Sequence, residues 1–261
     1  MKNYRLDVYL HDKGYASSRE RAKELILSNS VFVDDNLITK PSYPVNDDVK
    51  IKITRELYVS RGYVKIEKAM QVFDINIENK TAVDIGASTG GFTDYLLKHG
   101  AKKVYAVDVG TGQLHNSLRN DDRVINQENT NFRYIDTSIF TDDIDIITVD
   151  VSFISLKHIL PKIVEISHNS TDIVALVKPQ FEAGKENIGK KGIVKDKQVH
   201  LEVLNNLNNY IKINNLNLIN IAYSPIKGAS GNIEYLTHLK ITGSSNEINF
   251  KDLVNQAFEI L

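Results

Sequence analysis

The chain has 261 residues, with 32 Lys and Arg against 33 Asp and Glu and a formal net charge of −1. This length predicts one or two domains, and the balanced charge excludes a strongly basic nucleic-acid coat without excluding a basic face. The absence of cysteine excludes structural disulfides, Cys-ligated zinc, iron–sulfur clusters and thiol catalysis. The first residues, MKNYRLDVYLHDKG, carry charges throughout, and no apolar stretch reaches the roughly 18 to 20 residues that span a bilayer. We therefore expect a cytoplasmic protein without a signal peptide or membrane segment.

The first 56 residues differ in pattern from the rest and predict a small appended α+β module. Apolar residues at a helical spacing favour one helix over Tyr4–Leu10, which Gly14 would end. Ser17 or Ser18 offers an N-cap for a second helix over Arg19–Leu27. Two short extended segments follow, at Val31–Val33 and Val49–Ile53.

From about residue 80 the chain alternates strand-like apolar runs with helical segments. The strand-like runs are Thr81–Ile85, Val104–Val109, Val124–Asn126, Asp145–Val149, Ile173–Val177, Leu216–Ala222 and Ile233–Ile241. The helical segments are Phe92–His99, Gln113–Asn120, Leu156–Ser167 and Gln198–Ile213. This alternation predicts an α/β fold with a mostly parallel sheet and helices on both faces. The last two runs lack a helix between them, so we expect an antiparallel pair joined through residues 224–231.

A glycine-rich turn follows the first of these strands, in the sequence AVDIGASTGGFTDYLL. Glycines let the backbone approach a ligand, and ligands of open α/β sheets bind at the carboxyl ends of the strands. The spacing G-x-x-x-G-G differs from the dinucleotide fingerprint and the phosphate loop, and it matches the Asp-x-Gly-x-x-x-Gly-Gly-Phe turn of AdoMet-binding enzymes. Asp108, 24 residues after Asp84, supplies a carboxylate that can accept both ribose hydroxyls of a nucleoside. The alternative is a generic tight turn with Asp108 as an N-cap.

Charged residues adjoin several of the predicted elements. Asp150 ends the fourth strand and Lys178 the fifth, while Glu234 begins the last strand. Lys65 lies in RGYVKIEKAM, a predicted helix that leads into the first strand. Each alone is more often a solvated charge at a strand end. Four of them on one rim would be costly without a function.

Nine motifs occur in order along the chain: RLDVYL, SSRERAKELI, VFVD, YVSRGYVKIEKAM, VDIGASTGGFTDYLL, AVDVGTGQL, VDVSFISL, LVKPQFEAG and GNIEYL. In these motifs, up to about residue 241, the chain resembles the TlyA (haemolysin A) family of rRNA 2′-O-methyltransferases. The resemblance implies an S4-like RNA-binding domain over 1–56, a linker and leading helix over 57–79, an FtsJ-like methyltransferase domain over 80–245 and a helical tail over 246–261. The methyltransferase domain would have the class I, Rossmann-like fold, with a mostly parallel seven-stranded sheet and an antiparallel last strand.

The resemblance also implies the functional residues. The K-D-K-E catalytic tetrad would be Lys65, Asp150, Lys178 and Glu234. The cofactor S-adenosyl-L-methionine (AdoMet) would be bound by Asp84, Gly86, Ala87, Ser88, Thr89, Gly90, Gly91, Phe92, Asp108, Glu128, Asn131 and Asp150. Lys178, held by Asp150, would orient the ribose 2′-hydroxyl or deprotonate it, and the sequence leaves these two roles open. Lys65 and Glu234 would position the ribose, and no metal is expected.

The expected partner is rRNA within ribosomal subunits, with no membrane or DNA partner and a monomeric or weakly dimeric chain. The candidate phosphate contacts are Arg5, Lys13, Arg19, Arg21 and Lys23. The lysine-rich loop, Lys185–Lys197, would either add to this RNA surface or be a mobile surface loop. The family usually has a small residue where this chain has Tyr63, which would either stack on a nucleobase or pack inside the protein.

Two other classes of function compete with this interpretation. One is a membrane-active haemolysin, which the older family name suggests and no amphipathic or spanning segment supports. The other is an RNA-binding ribosome-assembly factor with a vestigial methyltransferase fold. Loss of the glycine turn or of the tetrad would favour that reading, and both are present.

Overall fold

The computed structural model describes residues 3–16, 18–27, 30–54 and 58–261. By its internal contacts the chain divides into two compact units, residues 1–57 and 58–261. No helix among the described residues is both long and apolar enough to cross a bilayer.

The N-terminal unit packs two helices with short strands around a small apolar core. Its helices are α1 (Leu6–Asp12) and α2 (Arg19–Leu27), and its strands are β1 (Tyr4–Arg5), β2 (Val31–Val33), β3 (Asn36–Leu37), β4 (Pro44–Val45) and β5 (Ile51–Ile53). Strand β2 pairs antiparallel with both β3 and β5, and β1 pairs with β4. The fully buried side chains of Leu6, Leu10 and Ile26 form the centre of the core.

Two boundaries in this unit differ from the prediction. The first helix begins at Leu6 rather than Tyr4, because Tyr4–Arg5 pairs as a strand with residues 44–45. The extended segment expected over Val49–Ile53 is shorter, Ile51–Ile53. Ser18 caps α2 by accepting a 3.2 Å hydrogen bond from the Arg21 amide, whereas Ser17 lies outside the described residues.

The second unit contains a seven-stranded sheet in the order β11-β12-β10-β9-β6-β7-β8. Its strands are β6 (Thr81–Ile85), β7 (Lys103–Val107), β8 (Val124–Gln127), β9 (Ile146–Val149), β10 (Asp172–Val177), β11 (Asn217–Tyr223) and β12 (Tyr235–Lys240). Strands β6 to β10 pair in parallel, and β12 pairs antiparallel with both β10 and β11. The predicted fold class, including the antiparallel last strand, is confirmed.

Helices cover both faces of this sheet. They are α3 (Tyr63–Phe73), α4 (Gly91–Lys98), α5 (Asn116–Arg119), α6 (Leu160–Ile166), α7 (Pro179–Glu182), α8 (Lys197–Ile213) and α9 (Phe250–Ile260). Alternate strand residues enter two separate cores, as in β6, where Val83 and Ile85 join one core and Ala82 the other. Phe250, Val254 and Ala257 of α9 are buried in the first core, so the last helix packs on the sheet unit.

Two predicted helices are shorter than expected. The segment Gln113–Asn120 is helical over only four residues, because its first amides bind the Glu128 carboxylate and its helix starts at a His115 cap. The segment Leu156–Ser167 is split into a 3₁₀ turn and α6. Pro161 stands in the first turn of α6, where its missing N–H cannot extend the preceding turn.

The strand register brings the functional segments to one edge. Ile85 of β6 pairs with Val149 of β9, so the glycine turn and Asp150 emerge side by side. Tyr235 of β12 pairs with Val177 of β10, which places residue 234 beside residue 178 because these two strands are antiparallel. The carboxyl edge of the sheet therefore carries all of these segments.

Candidate active site

Four charged side chains meet at the carboxyl edge of the sheet. Asp150 and Lys178 directly follow β9 and β10, Glu234 directly precedes β12, and Lys65 lies in the first turn of α3. Lys178 Nζ lies 2.5 Å from Asp150 Oδ1, and Lys65 Nζ lies 2.8 Å from Glu234 Oε2. Lys65 Nζ also lies 3.6 Å from Asp150 Oδ2, which links the two pairs. The structure thus brings together all four residues of the expected tetrad, in the order cation–anion–cation–anion.

Most of this cluster is buried, so its charged groups have lost favourable contacts with water. Lys65 and Lys178 are each 7% exposed and Glu234 is 2% exposed. Buried ion pairs seldom stabilise a protein relative to apolar residues, because desolvation offsets the attraction between the charges. Removing one member leaves an uncompensated charge. Such a cluster in a cleft is a candidate functional site on physical grounds.

The glycine turn lies against Asp150. Gly86 has φ +83°, and a Cβ at this position would lie 2.6 Å from the Asp150 carbonyl oxygen. Only glycine therefore fits here without strain and without moving Asp150. Ser88 also has a positive φ, +50°, and its amide donates a 2.8 Å hydrogen bond to Asp108 Oδ2. The turn is held between the ends of the neighbouring strands.

Two cavities open on either side of this turn. The larger, of about 450 Å³, is lined by Ser88, Asp108 and Asn131, together with apolar side chains that include Val109 and Phe132. The smaller, of about 200 Å³, is lined by Asp84, Ala87, Thr89, Gly91, Phe92 and Lys178, among others. Gly86, Ser88, Asp150 and Ser152 line both cavities. The larger volume lies within the range of roughly 300–1,000 Å³ that is usual for small-molecule sites.

The larger cavity suits a nucleoside such as that of AdoMet. Asp108 accepts one backbone hydrogen bond on each oxygen, from Ser88 and from Gly110. Each carboxylate oxygen has a second lone pair, so the residue can still accept two hydroxyl groups. Asn131 Oδ1 accepts a 3.1 Å hydrogen bond from the Arg133 amide while the residue lines the cavity wall.

Asp84, expected among the cofactor residues, uses its oxygens inside the protein. Oδ2 accepts hydrogen bonds from the amide and the hydroxyl of Thr93, at 3.0 and 2.7 Å, and Oδ1 accepts one from the Thr148 hydroxyl at 2.9 Å. Burial raises its pKa to about 6 despite these bonds. Asp84 therefore fastens the start of α4 to the sheet while it borders the smaller cavity.

Glu128 and Gly90 line neither cavity. The Glu128 carboxylate accepts hydrogen bonds from the amides of Leu114 and Gln113, at 3.0 and 2.6 Å, and the Leu114 bond is the main cause that lowers its pKa to about 2. A Cβ on Gly90 would lie 2.2 Å from a methyl carbon of Leu118. Both residues therefore shape the segment 113–118, and Gln113 is the member of that segment that lines the larger cavity.

Tyr63 packs inside the protein. It is 4% exposed, and its ring stacks on Tyr58 with centroids 4.2 Å apart and an interplanar angle of 14°. Tyr58 in turn lies 5.8 Å from Tyr95 of α4. Of the two roles left open by the sequence, the structure supports packing, because the ring is not available to a nucleobase.

The lysine-rich loop is fastened beside Glu234. Asn232 Oδ1 accepts a 2.9 Å hydrogen bond from the Val194 amide, and its Nδ2 donates one of 2.8 Å to the Gly192 carbonyl. Val194 is buried, and its carbonyl lies 3.1 Å from Nε2 of the buried His200. The loop is therefore anchored at its C-terminal half.

A family model described as FtsJ-like methyltransferase matches residues 58–241, and a model described as S4 domain matches residues 5–51. The chain belongs to the FtsJ-like methyltransferase family. Hemolysin A of Brachyspira hyodysenteriae is 47% identical over 91% of this chain and 100% of that protein. A protein of Mycobacterium tuberculosis named 16S/23S rRNA (cytidine-2′-O)-methyltransferase TlyA is 39% identical over 90% of this chain and 89% of that protein. A solved structure of a candidate hemolysin from Streptococcus thermophilus superimposes with a TM-score of 0.75 at 42% identity, covering 100% of this chain and 97% of that chain.

In the S4-type unit of this FtsJ-like chain, each predicted RNA contact faces a carboxylate of the same unit. Arg5 lies 2.9 Å from Asp7, Arg19 lies 3.5 Å from the same carboxylate, and Lys13 lies 2.7 Å from Asp47. On α2, Arg21 pairs with Glu24 at 2.5 Å and Lys23 pairs with Glu20 at 2.7 Å. Asp7, which was not predicted, is fully buried and contacts two of the five cations.

Sequence reasoning also missed Ser152 in the FtsJ-like unit. Its Oγ accepts a 2.9 Å hydrogen bond from Lys178 Nζ. The signal was present in VDVSFISL, because Ser152 stands two residues after Asp150 in the loop that leaves the sheet. A serine two residues after an aspartate is not a recognisable motif, and its contact with Lys178 is visible only in the folded chain.

Proposed function

We propose that this chain transfers the methyl group of AdoMet to the ribose 2′-hydroxyl of rRNA, with cytidine as the modified nucleotide. The observation that carries the proposal is the buried sequence of contacts from Lys178 through Asp150 and Lys65 to Glu234, which borders the glycine turn. The names of curated relatives support the substrate, since one of them at 39% identity is an rRNA cytidine-2′-O-methyltransferase.

Residues on both sides of the glycine turn would hold the cofactor. Asp108 would accept the ribose hydroxyls of its nucleoside, and Asn131 and Phe132 would border the base in the larger cavity. Gly86 and Asp150 border both cavities and would lie beside the reacting end of the molecule. Bound AdoMet supplies a methyl group on a positively charged sulfur, whose carbon–sulfur bond breaks as the carbon–oxygen bond forms.

The charged cluster would position the hydroxyl and remove its proton. Lys178 Nζ orients the 2′-hydroxyl in line with the methyl group and accepts the hydroxyl proton. Asp150 holds Lys178 from one side and, through its second oxygen, holds Lys65. Lys65 and Glu234 form their own 2.8 Å pair and would contact the ribose of the target nucleotide. Alignment is the main task, because the methyl donor is intrinsically reactive.

The S4-type unit would dock the chain on folded rRNA. Its cations would contact phosphates, which fix the position of a protein on RNA without reading the sequence. The lysine-rich loop, anchored at Val194 beside the strand that follows Glu234, would contact RNA near the target ribose. This division of labour places shape recognition in one unit and chemistry in the other.

A methylation assay tests the proposal directly. Purified chain is incubated with tritiated AdoMet and unmodified small or large ribosomal subunits, and the position of any 2′-O-methyl group is mapped. Lys178→Ala should abolish methylation while calorimetry still detects binding of S-adenosylhomocysteine (AdoHcy). Lys251→Ala, a change at an exposed lysine of α9, is the matched control and should retain full activity. Near-normal turnover of Lys178→Ala would overturn the assignment.

A further inference from the structure

The loop after β9 contacts the segment after β10 at four places. Besides its contact with Asp150, Lys178 donates to Ser152 Oγ. The Phe153 and Phe181 rings lie 5.1 Å apart. Glu182 accepts hydrogen bonds from the Ser155 hydroxyl at 2.5 Å and from the Leu156 amide at 2.8 Å. The two segments are therefore held in a fixed relation along their length.

The backbone of this loop is held in an unusual conformation directly after Ser152. Phe153 has φ +63°, a value that non-glycine residues rarely adopt. Such strain persists where neighbouring contacts hold the chain, and here the Leu156 amide fastens the following residues to Glu182 through a 2.8 Å hydrogen bond. The sharp turn leaves Ser152 facing Lys178 instead of continuing along the strand direction.

Ser152 and Asp150 together occupy two directions around Lys178 Nζ. The Asp150 Oδ1 contact is 2.5 Å long and the Ser152 Oγ contact is 2.9 Å long. An uncharged amine, the form that can accept a proton, has two N–H bonds and one lone pair. An N–H bond that points at Ser152 Oγ fixes the rotation about the Cε–Nζ bond, and the lone pair then takes the staggered position that faces away from the negatively charged Asp150 carboxylate. Without Ser152 one N–H bond is released, and rotation about the Cε–Nζ bond spreads the lone pair over staggered positions.

We infer that Ser152 is a positioning residue for the methyl transfer, since its hydroxyl fixes the direction in which Lys178 meets the ribose 2′-hydroxyl. The inference rests on the proposed function, in which Lys178 accepts the hydroxyl proton. As the proton moves from the 2′-oxygen to Nζ, the ammonium group keeps its ion pair with Asp150 and its hydrogen bond to Ser152, and the newly formed N–H bond points back to the newly methylated oxygen. Ser152 itself gains and loses no proton in this step.

The test compares two serines of the same loop. Ser152→Ala removes the hydrogen bond to Lys178, and Ser155→Ala removes the bond to the half-buried Glu182 carboxylate together with the acceptor of the Lys157 amide, so each change deletes one hydroxyl of the loop. With unmodified ribosomal subunits as substrate, Ser152→Ala should lower kcat about tenfold, the value of one hydrogen bond, with KM for RNA and the AdoHcy dissociation constant unchanged. Ser152→Thr, which keeps the hydroxyl, should recover kcat to within about threefold. Ser155→Ala should lower the melting temperature and leave kcat unchanged.

The outcomes separate this inference from the function on which it rests. Wild-type kcat in Ser152→Ala, together with an inactive Lys178→Ala, would overturn the role of Ser152 and leave the proposed function intact. An equal loss of kcat in Ser155→Ala would also overturn it, because the effect would then come from the loop as a whole. Active Lys178→Ala would remove the basis of both. Because Ser152 is an exposed residue, its two variants are expected to fold, and circular dichroism together with AdoHcy binding checks the fold of every variant, including Lys178→Ala at a buried position.

Discussion

Asp84 is a buried carboxylate whose surroundings disfavour its ionised form. Its pKa is raised from 3.8 to about 6, first by burial and in spite of hydrogen bonds from Thr93 and Thr148. The folded chain therefore binds this proton more tightly than the unfolded chain, and the free energy of unfolding falls as pH rises from 3.8 to about 6. Asp84→Asn replaces the carboxylate by a neutral group of the same shape, whose oxygen can accept from Thr93 and whose nitrogen can donate to the Thr148 hydroxyl.

The size of the effect follows from the pKa. A rise from 3.8 to about 6 corresponds to about 3 kcal/mol in the free energy of unfolding at pH values above 6. Asp84→Asn should therefore be more stable than the wild type by up to about 3 kcal/mol at about pH 7.5, and by about 1.5 kcal/mol at about pH 5. This difference in stability between Asp84→Asn and the wild type decreases as pH falls, because the folded state disfavours the ionised form of Asp84.

Urea unfolding followed by far-UV circular dichroism, at both pH values, measures this gap. Asp145→Asn is the matched control. Burial raises the pKa of Asp145, but hydrogen bonds from the Thr81 amide and from Lys80 outweigh burial and lower it below 3.8. Asp145→Asn should thus lose stability by the same amount at both pH values, since the wild-type group is ionised at both. A difference between Asp84→Asn and the wild type that does not change with pH, or a less stable variant at the higher pH, would refute the reasoning.

Variants at three further positions test the surroundings of the site. Gly86→Ala combines a φ of +83° with a Cβ only 2.6 Å from the Asp150 carbonyl oxygen, so calorimetry should show AdoHcy binding weakened about tenfold or more. Unchanged affinity would contradict the close approach of this turn. The Glu128 pKa is lowered to about 2, mainly by the Leu114 amide, so Glu128 adds stability above its ordinary pKa of 4.5. Glu128→Gln should therefore lower the urea midpoint at neutral pH, and this difference from the wild type should shrink as pH falls from about 4.5 towards about 2. Tyr63→Ala should cost about 3 kcal/mol of the free energy of unfolding, while Tyr63→Phe, which keeps the stacked ring, should lose less stability and leave KM for RNA unchanged. A raised KM in Tyr63→Phe would show that the hydroxyl contacts the substrate.

The fold was predictable because its signals are local and repeat along the chain. The buried strand Thr81–Ile85 and the helix Arg19–Leu27 have the predicted boundaries, since apolar period and flanking turn residues agree there. The antiparallel last strand was predicted because no helical segment separates the last two strand-like runs. The same register argument brought Asp150, Lys178 and Glu234 to one edge without any knowledge of side-chain geometry.

The errors arose where a distant residue decides the local structure. Gln113–Asn120 has the composition of a helix, but Glu128 captures its first amides from 15 residues away. Tyr4 has helical spacing to Leu10, but residues 44–45 pair with it as a strand. Ser152 could not be recognised because its partner Lys178 is 26 residues further along the chain. A single sequence records such partners without indicating that they meet.

The buried Asp7 of the S4-type unit has a consequence for the entropy of RNA binding. It holds the Arg5 and Arg19 side chains, which remain 50% and 53% exposed, around one carboxylate that cannot move into water. Long side chains normally lose about 2 kcal/mol of rotational freedom when a ligand orders them. Here that ordering happens when the unit folds. In the proposed docking role, a phosphate contacting these two guanidinium groups would therefore cost less side-chain entropy than one contacting freely rotating arginines.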